Sequence, residues 1–332
     1  MIEKTEKPHS IKLRSTSDGL HLDGSILWFD SHATGQLSFL SSCISTTKTK
    51  VPQVITTEET ARILESFKRK PNALICQYNR PFSIGKLKME LLPSGSILGG
   101  ASLYVETDKG RLLYAPQLQT HRISIVRQMQ LKRAKSLALG AYKPAPQITL
   151  PNRKKELESL VAQVADSCSK GQWPVILCQA FGTAQEITKS LSDHKLPVSV
   201  HSSIAKVNKI YELYGSQLGR YSTYSAKKPN NKILLWPLPL SKNFKIPTFP
   251  DSPLILVKDN TIEHELEEIS QLIGSYIISN SSDANDLKEV IAAVQPKELF
   301  LFGPYAKAYV EEFKNLSPVV APLFADNQPT LF

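Results

Sequence analysis

Seven histidines and four cysteines are the side chains of this sequence best suited to metal or nucleophilic chemistry, and their spacing argues against both uses. The histidines are His9, His21, His32, His121, His194, His201 and His264, and no two lie within four residues of each other. A catalytic zinc site draws about three protein ligands, usually clustered by short spacing on adjacent loops, so no zinc or other metal site is expected. Cys43, Cys76, Cys168 and Cys178 form no C-x-x-C pair and read as reduced, buried thiols. Ser94-Gly95-Ser96 does not complete G-x-S-x-G, the stretch GSILGGA is too loose for a dinucleotide fingerprint, and no Walker loop is present. What remains is charge. Lys68-Arg69-Lys70, Arg127 with Lys132, Arg133 and Lys135, Arg153-Lys154-Lys155, and Lys227-Lys228 with Lys232 form basic clusters suited to phosphate, although runs of this kind are more often solvated faces.

These residues sit on a chain of 332 residues with 40 Lys+Arg against 30 Asp+Glu, a net charge of +10 that favours an anionic partner, nucleic acid first. At 41% hydrophobic the chain can bury a sizeable core, which excludes disordered and fibrous classes and suits two domains. The N-terminus MIEKTEKPHS lacks the apolar core of a signal peptide, and no window reaches the length of a membrane span, so a cytoplasmic, nucleoid-associated protein without a membrane partner is expected. Residues 10–48 read as a meander of short strands: IKLRS, LHLDG, SILWFD and LSFLSS. TEETARILESFK has helical spacing with Thr56 and Thr57 as caps. Strands return over 72–117, with Asp108-Lys109-Gly110 as a hairpin turn. After the Pro-rich, basic segment KPAPQITLPNRKK, strands and helices alternate, which implies a parallel sheet. A helix is expected over HELEEISQLIG before the strand SYIISN.

The order of these segments resembles metallo-β-lactamase-fold nucleases with a β-CASP-like insertion, in particular the bacterial DNA-ligase-associated exonucleases, also called mRNA 3′-end-processing-like proteins. LWFDSHATGQLSFLSSCISTT is similar to the family's opening strand and His-x-His-x-Asp-His loop. PFSIGKLKMELLPSGSILGGASLYVETDKGRLLYAPQLQT is similar to its central portion, WPVILCQAFGTAQEI and VSVHSSIAKVNKIYELYG to its β-CASP units, and YIISNSSDANDLKEVI with ELFLFGPYAKAYVEEF to its closing loops. The resemblance implies an α/β fold, a metallo-β-lactamase αββα sandwich built from residues 1–148 and 271–325, with a small β-CASP-like α/β insertion over 149–270 and a C-terminal tail of 326–332.

The family's ligand positions hold other residues in this chain. Ser42, Ile44, Thr46 and Thr47 stand in the first loop, Ser96 in the second, Gln117 at the bridging Asp, and Ser281 and Gly303 at the closing histidines; the acidic residue ending the lactamase half falls near Gly140. Hydroxyls, an amide and a glycine are poor donors for divalent cations, and a nuclease water would have nothing to lower its pKa. The expected protein is a pseudonuclease without metal or cofactor. Thr183 replaces a family lysine, and Asp283 reads as a helix N-cap. His32 reads as a surface turn residue and His201 as a strand-end residue.

Gln328-Pro329-Thr330-Leu331-Phe332 resembles the pentapeptide by which bacterial replication and repair proteins dock on the DNA sliding clamp, with Leu331 and Phe332 as anchors and the Gln328 amide as orienting group. The expected role is an accessory or scaffold in DNA repair or replication, with DNA, repair proteins or an active nuclease paralogue as further partners. Two other readings stay open: an active metal-dependent DNA or RNA exonuclease with ligands elsewhere, and a non-catalytic subunit of an active paralogue.

Overall fold

A computed structural model describes residues 10–31, 37–45, 53–226, 231–238, 252–259 and 271–323, which build three sheets and six helices. The first sheet runs β1 (Leu13–Thr16), β2 (Gly19–Leu22), β3 (Leu27–Phe29), β4 (Leu37–Phe39), β5 (Gln53–Thr56) and β6 (Asn72–Ile75) in sequence order, antiparallel as far as β3 and parallel thereafter. Between β5 and β6 lies α1 (Glu58–Ser66), started by Thr57, whose side chain accepts the Thr60 amide. The second sheet has β7 (Phe82–Ile84), β8 (Leu87–Pro93), β9 (Ala101–Thr107) and β10 (Gly110–Ala115) as an antiparallel meander, extended in parallel by β11 (Ser136–Gly140), β18 (Glu298–Phe302) and β19 (Val319–Pro322). The hairpin falls where the sequence puts it: Thr107 pairs with Gly110, and Thr107 Oγ1 accepts the Lys109 amide.

These two sheets pack face to face. Leu27, Phe29, Phe39 and Ile55 of one meet Met89, Leu91, Leu103 and Tyr114 of the other, all essentially without exposure. The other face of the second sheet is covered by α5 (Ala284–Val294) and α6 (Ala306–Phe313), whose Leu287, Ile291, Tyr309 and Phe313 pack on Leu113, Leu137, Leu139 and Leu301. Side chains alternate across a strand, so one meander feeds two cores. Asp283 caps α5 as expected, Oδ1 accepting the Asp286 amide at 3.0 Å and Oδ2 the Leu150 amide at 2.9 Å.

The third sheet is wholly parallel, in the order β14 (Tyr221–Thr223), β13 (Val198–Val200), β15 (Ile233–Pro237), β12 (Val175–Cys178), β16 (Leu254–Lys258), β17 (Leu272–Ile277). Its central strands are buried and almost continuously apolar, as a covered parallel sheet requires. One face packs on α2 (Arg153–Ser169), α3 (Thr183–Asp193) and α4 (Ser202–Leu213) through Leu160, Val164, Ile187, Leu191 and Ile204. A separate apolar cluster joins the modules: Ile63 and Leu64 of α1 meet Val207, Ile210 and Tyr211 of α4.

Two sequence expectations shift. Leu272–Gly274, read as the end of a helix, belong to β17, which pairs with β16 in the third sheet, so the chain leaves that sheet after Ile277 and not at 271. The strand β16 went unread. The four thiols are free; burial pushes Cys43 and Cys178 up to about 12 and Cys76 to about 11. Among the described residues no helix is long and apolar enough to cross a membrane.

Candidate functional site

Loops from all three sheets meet where the two modules join, and they carry the positions the resemblance singles out. The loop after β4 is tied to the one after β8 by Ala101 N to Ser41 O at 2.8 Å. That loop is tied to the one after β10 by Gln119 N to Ser94 O at 3.0 Å, and the latter to the turn before α5 by Ser282 N to Leu118 O at 2.8 Å. The loops after β11 and β18 meet through Ala141 N and Phe302 O at 2.7 Å. Ser42, Ser96, Ser281, Gly303 and half-buried Gln117 thus belong to one wall, with Ile44 partly exposed at its margin. Thr46 and Thr47 lie outside the described residues.

The hydroxyls of this wall bond to one another. Ser42 Oγ lies 2.9 Å from Ser45 Oγ, Ser41 Oγ 2.7 Å from Ser45 Oγ, and Ser94 Oγ 2.8 Å from Ser96 Oγ. Ser42, Ser94 and Ser96 are each at most 2% exposed, so these groups are satisfied inside the protein and not offered to solvent. Among the described residues no group of three or more His, Cys, Asp and Glu is placed to hold a metal ion. A Cβ on Gly140 would stand 2.0 Å from the Pro116 carbonyl oxygen, and Gly303 has φ +100 with Ala141 O 3.0 Å from its Cβ position. Neither position accepts a side chain without movement of a neighbouring strand end.

Two groups that the sequence reading passed over lie at the centre. Asp30, ending the apolar strand β3 at φ 45, accepts the Ser41 amide at 2.8 Å and the Tyr114 hydroxyl at 2.9 Å. Burial raises its carboxyl to about 6 against the lowering effect of those bonds. An acid directly after ILWF was the available signal. The second is Lys143, 3% exposed, whose Nζ donates to Asp259 Oδ2 and Asp259 O, both at 2.8 Å, and to Ser279 Oγ at 2.6 Å. An ammonium has three protons, and all three are used. Ser279 Oγ also stands 2.9 Å from Asp259 Oδ1 and from Ser281 O. Gln119 Nε2 donates to Ser279 O at 3.0 Å, and Arg153 Nη1 donates to the same oxygen. An ion pair with a buried ammonium, Lys143 with Asp259, therefore ties the loop after β11 to the carboxyl ends of β16 and β17.

Not all of the basic candidates face solvent. Arg153 is spent on Glu186, Nη2 to Oε2 at 2.5 Å with both side chains about 10% exposed, which removes it as a phosphate contact. Lys132 bonds Glu90 at 2.5 Å and lies over the Tyr104 ring. Lys154 makes a loose pair with Glu158 at 3.7 Å. Arg127 lies 5.6 Å over the Tyr78 ring. Lys68, Lys70, Arg133 and Lys155 are exposed, while Arg69 and Lys135 are half-buried and engaged with neighbours. His201 caps α4, its Nδ1 2.8 Å from Ser203 Oγ, and burial lowers its pKa. His32, Lys227, Lys228, Gln328, Leu331 and Phe332 lie outside the described residues.

No protein-family model matches the chain. Over 318 residues it is 20% identical to a probable DNA ligase of Opitutus terrae, a match covering 94% of this chain and 31% of the ligase. The chain thus spans less than a third of that relative's length. A crystal structure of a protein of unknown function from Enterococcus faecalis is similar at a TM-score of 0.62 and 14% identity, over 90% of this chain and 83% of that one. That likeness concerns the fold alone.

Proposed function

We propose that the chain is a catalytically silent, nuclease-derived accessory protein of DNA repair or replication. In this reading the two face-to-face sheets with α5 and α6 form a metallo-β-lactamase-type sandwich, and the third sheet with α2, α3 and α4 is its β-CASP-like insertion. The observation that carries the proposal is the chemistry of the wall: hydroxyls bonded to one another and glycines that admit no Cβ stand where the resemblance calls for imidazoles and carboxylates. A nuclease of that class needs a metal-bound water of lowered pKa, and this donor set does not supply the means. The similarity to part of a probable DNA ligase supports a role in DNA metabolism. The QPTLF segment supports docking on the bacterial sliding clamp, with Leu331 and Phe332 as apolar anchors.

The deciding experiment is elemental mass spectrometry on protein purified without chelator, beside a nuclease assay with manganese. The expected result is metal far below one ion per chain and no cleavage. One or two ions per chain together with cleavage would restore the active exonuclease.

A further inference from the structure

The amino-terminal edge of the third sheet carries a concavity separate from the candidate site. It measures about 680 Å³ and is lined by the turn after α3, the starts of β13 and β14, and Lys232 just before β15. The loops of the candidate site lie at the opposite, carboxyl ends of these parallel strands, roughly 10–17 Å away for strands of this length. The volume falls in the range of a small-ligand cleft, roughly 300–1,000 Å³.

Three cations line it: Lys195, Arg220 and Lys232. Lys232 Nζ donates to Ser222 Oγ at 2.9 Å, while the Lys195 and Arg220 side chains have no acidic partner among the described residues. The carboxylate present, Asp193, is engaged by Lys189 at 3.0 Å on its own helix. The carbonyl end of α3 also faces this turn and opposes an anion, so the three cations must outweigh a partial negative charge. The backbone that presents them is tied down. Arg220 N donates to Ser192 Oγ at 2.6 Å, Lys195 N to Ser192 O at 2.9 Å, and Ile233 N to Pro197 O at 3.0 Å. Ser192 accepts in that bond and keeps its own hydroxyl proton for a ligand. Gathering like charges around a hollow works against the folded state unless an anion fills it.

We infer that this concavity is a phosphate-binding site, recognising either the phosphates of a free nucleotide or those of a nucleic-acid backbone. Arginine offers a planar fork to phosphate oxygens, and the two lysines add mobile point charges beside it. The inference is independent of whether the sandwich is silent or active.

The test uses the full chain and two variants, the double variant Arg220→Ala with Lys232→Ala and the single variant Lys195→Glu; all three side chains are exposed, and thermal melts verify the fold. Pyrophosphate and ATP are titrated by calorimetry, and a labelled twenty-nucleotide strand and its duplex by fluorescence anisotropy at low salt. The expected result is at least a tenfold loss of affinity in both variants, while Lys86→Ala with Lys109→Ala, exposed turn lysines outside every basic cluster, leaves binding unchanged. Loss confined to pyrophosphate and ATP identifies a free nucleotide. Loss confined to DNA, with the salt slope reduced by about 2, identifies the backbone. No binding of any probe to the parent chain, or equal binding by parent and variants, overturns the inference.

Discussion

Asp30 is the residue whose environment has the clearest measurable consequence. Its carboxyl sits near 6 when folded against an ordinary value of 3.8, so between those values the folded protein holds a proton that the unfolded chain has released. Stability is therefore highest below about pH 4 as far as this group is concerned and declines as pH rises toward 6, by roughly 3 kcal/mol in total. Asn is tolerated at positive φ and can still accept the Ser41 amide. Asp30→Asn is therefore expected to melt higher than the parent at pH 7.5 and to lose the parent's gain between pH 7.5 and 4.5. Equal melting of the two at both values would sink the assignment. At this scale the Asp283 cap is legible from its place before a helical run. Lys143 and Arg153 could not be read, because their partners Asp259, Ser279 and Glu186 lie 33 to 136 residues away in sequence.

At the scale of elements, the strand ends at Gly140 and Gly303 matter most. Because a Cβ at Gly140 would overlap the Pro116 carbonyl, Gly140→Asp, which puts an acid near where the resemblance calls for one, is expected to lower the melting temperature by roughly ten degrees without metal uptake. Stoichiometric zinc or manganese in that variant, at parental stability, would mean that the wall is only missing its donors. Most elements were legible from local pattern: α2, α3 and α5 show helical spacing, and β8 to β10 are largely apolar runs separated by Gly-containing turns. The end of the expected helix at Leu272–Gly274 was misread because a short apolar run suits either structure, and pairing with β16 decides for the strand. β16 itself, LILVK, is five residues between segments rich in Pro and Asn, too short to show a period.

For the whole molecule, charge and the QPTLF segment make the functional prediction. Deleting residues 328–332 is expected to abolish binding to an immobilised sliding clamp while the melting temperature stays within about a degree of the parent's. Undiminished capture of the shortened chain would remove the clamp from the proposal. Two modules were expected from length and from the Pro-rich crossover, but the way they are joined was not, since it depends on Lys143, Arg153 and Gln119 all reaching the short Ser279 segment. That junction has a consequence for supply. A cation built into the polypeptide is delivered by translation in fixed proportion to the fold it secures, and no chelator or trace-element shortage can withdraw it. The cohesion of the two halves at this point rests on a side chain of the polypeptide itself and on nothing the cell must import.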